Sequence, residues 1–332
     1  MRHHFASIVF LALFGSHACI AADVPCHDVD VCVYGGTASG VMAALAAGKE
    51  GANVILVEPS RWLGGMTGGG INHLDWGKGN TVGGSTYKIL MEGVKEQPRA
   101  HGGHAVQGIG NRAYRERFKK AVEDRGITVI YNHRVGKVQV GDRTIDSPTR
   151  KDPIAMNESI TKSKKANVIQ SITLDYAPVD ETGCPIPEPE KRNAITISAK
   201  VFIDCSYEGD VLGMSGASYT WGRESREHYD ESLAGVRPSL WVHDIDPYVE
   251  PGDPESGLVP FVQDKTIGPL GSADSLSMGY CFRHEFDMSG KGIPIPEPTN
   301  YDPAEFEVYR RAIRDGVDIF SNRHMRTTLN KF

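Results

Sequence analysis

The chain has 332 residues, enough for one large or two ordinary domains with ample core. A hydrophobic fraction of 40% and a charged fraction of 23% are those of a soluble globular protein. A net charge of −6 without a basic patch argues against nucleic acid as a partner.

The chain opens with a weakly basic Arg2-His3-His4, an apolar stretch from Phe5 to Phe14 and small residues at Cys19-Ile20-Ala21-Ala22. That order is a secretory signal with a cleavage site, and the apolar part is too short to span a bilayer. Export to the periplasm or medium is expected, with the mature chain starting near Ala22 or Asp23. Ser16 stands where a lipoprotein signal wants a branched apolar residue, which disfavours an anchor at Cys19. Cleavage would leave Cys26, Cys32, Cys184, Cys205 and Cys281. An odd count without C-x-x-C is neither a disulfide framework nor a zinc signature. Cys32 reads as a small buried hydrophobe inside a strand. One disulfide among Cys26, Cys184 and Cys281 is allowed but not assignable.

Residues 29–58 read strand, glycine turn, small-residue helix, strand and terminal acid, the order a dinucleotide site needs. Val29, Val31 and Val33 build the first strand. Gly35 permits the tight turn, and Gly40 lets the helix pack on the strand, while the helix N-terminus offers N–H groups to a pyrophosphate. Ala44 and Gly51 keep the helix thin. Glu58, eighteen residues after Gly40, can accept from both hydroxyls of an adenosine ribose and would repel a 2′-phosphate, which disfavours NADP. Thr37 occupies the middle glycine position, where a Cβ stands between backbone and phosphate. A plain βαβ unit is the competing reading, and the complete context favours the nucleotide.

The glycine-rich run 59–77 is expected to be loop, and its Trp62, Leu63, Met66, Ile71 and Trp76 suggest backbone pressed on a flat ligand. A helix is expected over 81–96, then a polar loop at 97–110. Helical spacing of Tyr114, Phe118 and Val122 gives a helix over 111–125, with Asn111 as its N-cap and Gly126 as its stop. Ile127 to Tyr131 is then the third parallel strand. Segments 135–140, 168–174 and 194–198 form an antiparallel excursion separated by long loops at 141–166 and 175–193. Residues 201–204 return as a buried strand, followed by a turn at Gly209-Asp210 and a helix. Beyond about 225 the chain is rich in Pro, Gly, Asp and Ser, then helical between Pro303 and Asp315. No internal repeat or transmembrane span is found.

Four stretches together carry a resemblance: Y-G-G-T-A-S-G at 34–40, E-P-S-R-W-L-G-G-M-T-G-G-G at 58–70, N-H-R-V at 132–135, and F-I-D-C-S-Y-E-G-D-V-L at 202–212 with W-G-R-E-S at 221–225. In this set the chain resembles the FAD-dependent oxidoreductases of the glutathione-reductase-like flavoprotein superfamily, in particular exported bacterial members. The resemblance covers roughly residues 28–315 and implies an α/β fold: a Rossmann-like parallel-sheet FAD-binding domain with a three-stranded antiparallel excursion, and a partial substrate domain. The expected division is a signal peptide (1–22), the FAD-binding domain (23–225, excursion about 135–198) and a substrate or cap region (226–332). It further implies that Gly35, Gly36, Thr37, Ser39 and Gly40 lie at the FAD pyrophosphate and that Glu58 meets the ribose. Gly64, Gly65, Met66 and Thr67 would run along the pyrophosphate, ribityl chain and flavin edge, Val135 would meet the adenine through its backbone, and Asp204 with Gly209-Asp210 would lie on the pyrophosphate side. The family's chain normally continues past the point corresponding to residue 332, closing the flavin pocket.

The implied cofactor is FAD, the partner a small-molecule substrate, and the reaction hydride transfer to the flavin. An inactive or incomplete FAD-binding fragment is the alternative, and an NAD-dependent dehydrogenase a weaker one. Catalytic residues are not identified. His73 and Asp75, beyond the glycine run, could serve as a base or merely cap the loop. Arg223 could bind an anion, but an internal pair with Glu224 is favoured. His101 and His104 have no third ligand, and no metal is expected.

Overall fold

The computed structural model describes residues 24–69, 84–92, 95–98, 104–107, 110–147, 168–180, 183, 185–237, 245–262, 264, 268–276, 291, 294, 297 and 300–316. The chain divides into two compact units. The first comprises Met1–Gly69, Gly83–Ile89 and Tyr114–Ala217, and the second Gly70–Val82, Leu90–Ala113 and Ser218–Phe332.

The first unit is built on strand β1 (Cys26–Tyr34), helix α1 (Ala38–Lys49) and strand β2 (Val54–Glu58). All five residues of β2 are buried, as expected for a parallel strand covered on both faces. A short helix α2 (Gly65–Gly69) follows, then in chain order α3 (Gly84–Met91), the second unit's strands β3 (Lys95–Pro98) and β4 (His104–Gln107), and α4 (Asn111–Asp124), which returns to the first unit from Tyr114. Strands β5 (Thr128–Tyr131), β6 (His133–Val140), β7 (Arg143–Asp146), β8 (Ile169–Tyr176) and β9 (Lys191–Asp204) lead to α5 (Asp210–Ser215). The sheet order is β5-β2-β1-β9-β8-β6-β7, parallel from β5 to β9 and antiparallel from β9 to β7. This is the Rossmann-like α/β architecture read from the sequence.

One core joins the two halves of that sheet. Cys32, Tyr34, Ile55 and Val57, alternate residues of β1 and β2, cluster with Val138, Ile172, Leu174 and Ile197 of the antiparallel strands and with Val211 and Met214 of α5. The antiparallel strands therefore fold over one face of the parallel sheet, and α1 packs on β1 and β2. Cys32 is fully buried, and burial pushes its thiol up to about 12. Cys26 is disulfide-bonded, while Cys32 and Cys205 are free.

Five elements differ from expectation. The helix expected over 81–96 is α3 to Met91 only, and Lys95 and Glu96 belong to β3, where they pair with β4. Residues 65–69, expected as loop, are the helix α2. Glycine is a poor helix former, but here packing decides: a Cβ at Gly64 would lie 2.6 Å from the Phe118 ring, and one at Gly68 2.3 Å from the Leu63 carbonyl oxygen. The 97–110 loop instead contributes to the β3–β4 antiparallel pair, held by backbone pairing from Lys95↔Gln107 to Pro98↔His104. β7 lies inside the expected 141–166 loop, joined to β6 by the two-residue turn Gly141-Asp142, a hairpin signature. Segments 194–198 and 201–204 are one continuous strand. β9 pairs with β8 up to Ser198 and with β1 from Thr196, so its side-chain pattern changes where its neighbours change.

In the second unit the short helix α6 (Arg226–Tyr229) precedes in the chain a 3-10 turn (Pro303–Phe306) that leads into α7 (Glu307–Arg314). The helical stretch expected between Pro303 and Asp315 is thus present as turn plus α7. The buried Arg311 of α7 donates to the backbone carbonyls of Asp246, Tyr248 and Val249 and pairs with Glu307.

Candidate functional site

The β1–α1 turn is held by the residues that the sequence singles out. Gly35 has φ +93°, and a Cβ there would lie 2.5 Å from the Ser206 backbone nitrogen. At Gly40 a Cβ would sit 1.9 Å from the Gly35 carbonyl oxygen. Both positions admit only hydrogen because turn, helix and the end of β9 meet there.

Thr37, the apparent blemish of the motif, caps α1. Its Oγ1 accepts from the Gly40 N–H at 3.3 Å and donates to the Cys205 carbonyl at 2.8 Å. It also lies 2.9 Å from the Ser39 hydroxyl. A glycine at this position would leave both the cap and the tie to β9 unmade. The exposed end of α1 keeps the polarity that favours an anion.

Glu58 sits beneath the turn with its carboxylate engaged twice. One oxygen accepts from the Gly36 N–H and the other from the Ser60 N–H, each at 2.7 Å. Burial pushes this carboxyl above its ordinary value; the hydrogen bonds to Ser60 and Gly36 oppose that, and the Glu208 carboxylate adds to it. Each oxygen can still accept a further hydrogen bond.

The second glycine segment is stitched to the first. The Gly64 N–H donates to the Gly36 carbonyl at 2.7 Å, and Thr37 bridges Gly64 in parallel. The Met66 N–H donates to the Tyr207 hydroxyl at 2.9 Å, and a Cβ at Gly65 would lie 2.4 Å from that hydroxyl. Tyr207 therefore ties α2 to the β9–α5 turn. It lies within the quoted motif, but its spacing alone carried no role. Beside α2, the Arg61 and Arg115 guanidiniums each lie 4.4 Å from the Trp62 ring centroid.

Asp204 organises the β9–α5 turn: one oxygen accepts from the N–H and hydroxyl of Ser206, the other from the Leu212 N–H. Gly209 precedes α5 in left-handed conformation. Asp210 accepts from the Tyr34 hydroxyl at 3.2 Å, and burial holds its carboxyl above the ordinary range. The same Tyr34 hydroxyl accepts from the Val135 N–H at 3.2 Å. Gly35, Gly36, Thr37, Ser39, Gly40, Glu58, Gly64, Gly65 and Met66 are thus linked through one set of turns. Asp210 and Val135 join them through Tyr34, a strand-end tyrosine whose polar reach the sequence reading missed.

Other candidates fall elsewhere. His73, Asp75 and His101 lie outside the described residues. Arg223 pairs with both oxygens of Asp274 and not with Glu224, because the backbone of the two residues is already bridged. Among the described residues no group of three or more His, Cys, Asp or Glu is placed to hold a metal ion. No described helix is long and apolar enough to cross a membrane.

An ADP moiety needs amides at its diphosphate, an acceptor at its ribose and polar edges at its base. The α1 N-terminus and Glu58 offer the first two. The Asn132 side-chain oxygen is buried without a hydrogen-bond partner. The residues present fit the ADP half of such a group. Residues 70–83 lie outside the described ones.

Two glycine segments stitched over a buried acid at the carboxyl end of a parallel sheet define a nucleotide-binding flavoprotein architecture. A family model described as FAD dependent oxidoreductase matches residues 30–161 and 184–331. The chain belongs to the FAD dependent oxidoreductase family, and FAD is the cofactor that membership assigns.

Among solved structures, similarity is found to a geranylgeranyl bacteriochlorophyll reductase-like protein from Thermoplasma acidophilum. Identity there is 14%, coverage 58% of this chain and 43% of that one, and the TM-score 0.34. A flavoprotein/dehydrogenase from Cytophaga hutchinsonii gives 16% identity, 59% and 44% coverage and a TM-score of 0.33. A probable FAD-dependent monooxygenase from Pseudomonas aeruginosa gives 13%, 60% and 48%, and 0.34. The chain spans less than half the length of these proteins. No curated protein matches the sequence.

Proposed function

We propose that this chain is an exported oxidoreductase that takes a hydride from a small organic substrate with FAD as its cofactor. The observation that carries the reading is the stitched pair of glycine segments, Gly36 to Gly64, lying over Glu58. In this reading Gly35, Gly36, Thr37, Ser39 and Gly40 form the turn against which the diphosphate lies, and the N-terminal end of α1 supplies the favourable polarity. Glu58 holds the ribose hydroxyls with its remaining lone pairs. Gly64, Gly65, Met66 and Thr67 line the path toward the ring. FAD, when bound, supplies the hydride acceptance that no side chain offers. The protein's task is to orient the substrate and exclude water, with residues 226–332 as the substrate-facing part.

Export is supported by the N-terminal signal pattern and by the disulfide at Cys26, a bond kept in oxidising compartments. N-terminal sequencing of protein from the periplasm or medium is expected to begin near Ala22 or Asp23. For the activity, the purified full chain is expected to absorb near about 450 nm through its flavin. Anaerobic addition of sugars, polyols or organic acids should bleach that band for one class. A yellow protein that no donor class bleaches would overturn the hydride-transfer reading while leaving cofactor binding intact.

A further inference from the structure

We infer that the Tyr207 hydroxyl donates a hydrogen bond to the diphosphate of the cofactor, an assignment that rests on the FAD reading above. Tyr207 stands in the turn between β9 and α5, where it links the two glycine segments. At one end, a Cβ at Gly35 would lie 2.5 Å from the backbone nitrogen of its neighbour Ser206. At the other, its hydroxyl accepts from the Met66 N–H at 2.9 Å, and a Cβ at Gly65 would lie 2.4 Å from that oxygen. The residue nevertheless stays 57% exposed, so a ligand lying along the two segments can reach it.

A tyrosine hydroxyl carries one proton and accepts through its lone pairs. Met66 occupies an acceptor position, and among the described residues the proton has no acceptor. By contrast, the Thr37 hydroxyl donates to the Cys205 carbonyl, that of Ser206 to Asp204 and that of Tyr34 to Asp210. The Met66 N–H also polarises the Tyr207 O–H and makes it a stronger donor. Carboxylates crowd these turns: Glu208 faces both Glu58 and Asp210, and Asp204 also faces Asp210. Arg134, the cation toward Asp210, is committed to the carbonyls of Ile186 and Pro187. A diphosphate there has to be met by uncharged donors, and the Tyr207 O–H is one whose position is fixed before the ligand arrives.

The test needs neither flavin nor turnover. Flavin-free full chain is titrated calorimetrically with ADP, and adenosine is measured by displacement of ADP. Tyr207→Phe keeps the ring and removes the hydroxyl. It is expected to weaken ADP about tenfold, the lower end of what a hydrogen bond to a charged acceptor gives, and to leave adenosine within about twofold. Unchanged ADP affinity overturns the assignment. Equal losses for ADP and adenosine overturn it too, because they reduce Tyr207 to a tie between the two segments. If the variant fails to fold, nitration of Tyr207 in the wild type, read by peptide mass, decides. Slowing by ADP but not by adenosine at equal saturation supports the assignment, and slowing by both or by neither overturns it. Wild type that binds neither ligand removes the FAD reading itself, and the assignment with it.

Discussion

Replacing Gly40 by alanine sets two effects of opposite sign against each other. In a helix interior alanine is favoured over glycine by about 1 kcal/mol. Here the new Cβ would lie 1.9 Å from the Gly35 carbonyl oxygen and 3.2 Å from Cys205 Cβ. Real Cβ contacts are essentially never closer than 3.0 Å, so α1 and the turn must separate by about 1 Å or more. The obstacle is backbone, which cannot swing aside as a side chain can. Overpacking of this kind costs about 1–3 kcal/mol and here also opens the Thr37 cap, so the net effect is destabilising. Gly48→Ala in the same helix is the control. Its Cβ would meet the Arg125 Cγ at 3.2 Å, on a side chain that can move, and the Ile127 Cδ1 at 3.6 Å, an ordinary contact, so propensity wins and stability rises by up to about 1 kcal/mol. Urea unfolding of both variants gives the two signs, and FAD titration should show weakened binding for Gly40→Ala alone. Gly40→Ala with unchanged or higher stability would refute the close-packing argument.

Thr37→Gly restores the consensus middle glycine yet is expected to destabilise by about 1–2 kcal/mol through loss of the hydrogen bond to Cys205 and of the cap, whereas Thr37→Ser stays close to wild type. Chemical denaturation of the pair would contradict this if the glycine variant proved the more stable. Glu58 gives a pH dependence whose sign follows from burial, which holds its folded-state pKa above the ordinary 4.5. The stability it contributes is full below the unfolded value and lost as pH rises through the folded one. The stability of Glu58→Gln relative to wild type is therefore expected to increase with pH across that window, and a decrease in matched urea melts would reverse the assignment. Alkylation of the native protein at mildly alkaline pH, read by peptide mass, is expected to label the half-buried Cys205 before Cys32, whose thiol burial holds at about 12. Prior labelling of Cys32 would place it outside the core.

The parallel strands, α1 and α4 were legible because buried β-branched runs and the spacing of Tyr114, Phe118 and Val122 are local signals. Asp204 was placed near the right turn because it belongs to a contiguous motif. The helix at Gly65–Gly69 was not legible, since glycine-rich sequence disfavours helix, and the tight space that demands glycine at Gly64, against Phe118, and at Gly68, against Leu63, is set by residues outside the run's own pattern. The role of Thr37 was hidden for a related reason: the carbonyl it binds, Cys205, is 168 residues away. Arg223 showed its charge but not its partner, Asp274, 51 residues on. β7, by contrast, is signalled locally by Gly141-Asp142, a turn pair set in a polar stretch whose composition otherwise resembles loop.

The central claim is that the turn from Gly35 to Gly40, over Glu58, holds the ADP half of FAD. Equilibrium titration of flavin-free full chain with ADP, followed by FAD, tests it most directly. The account expects one ADP per chain, displaced competitively by FAD, with affinity for both reduced in Gly40→Ala. Saturable FAD binding that ADP does not compete with would contradict it.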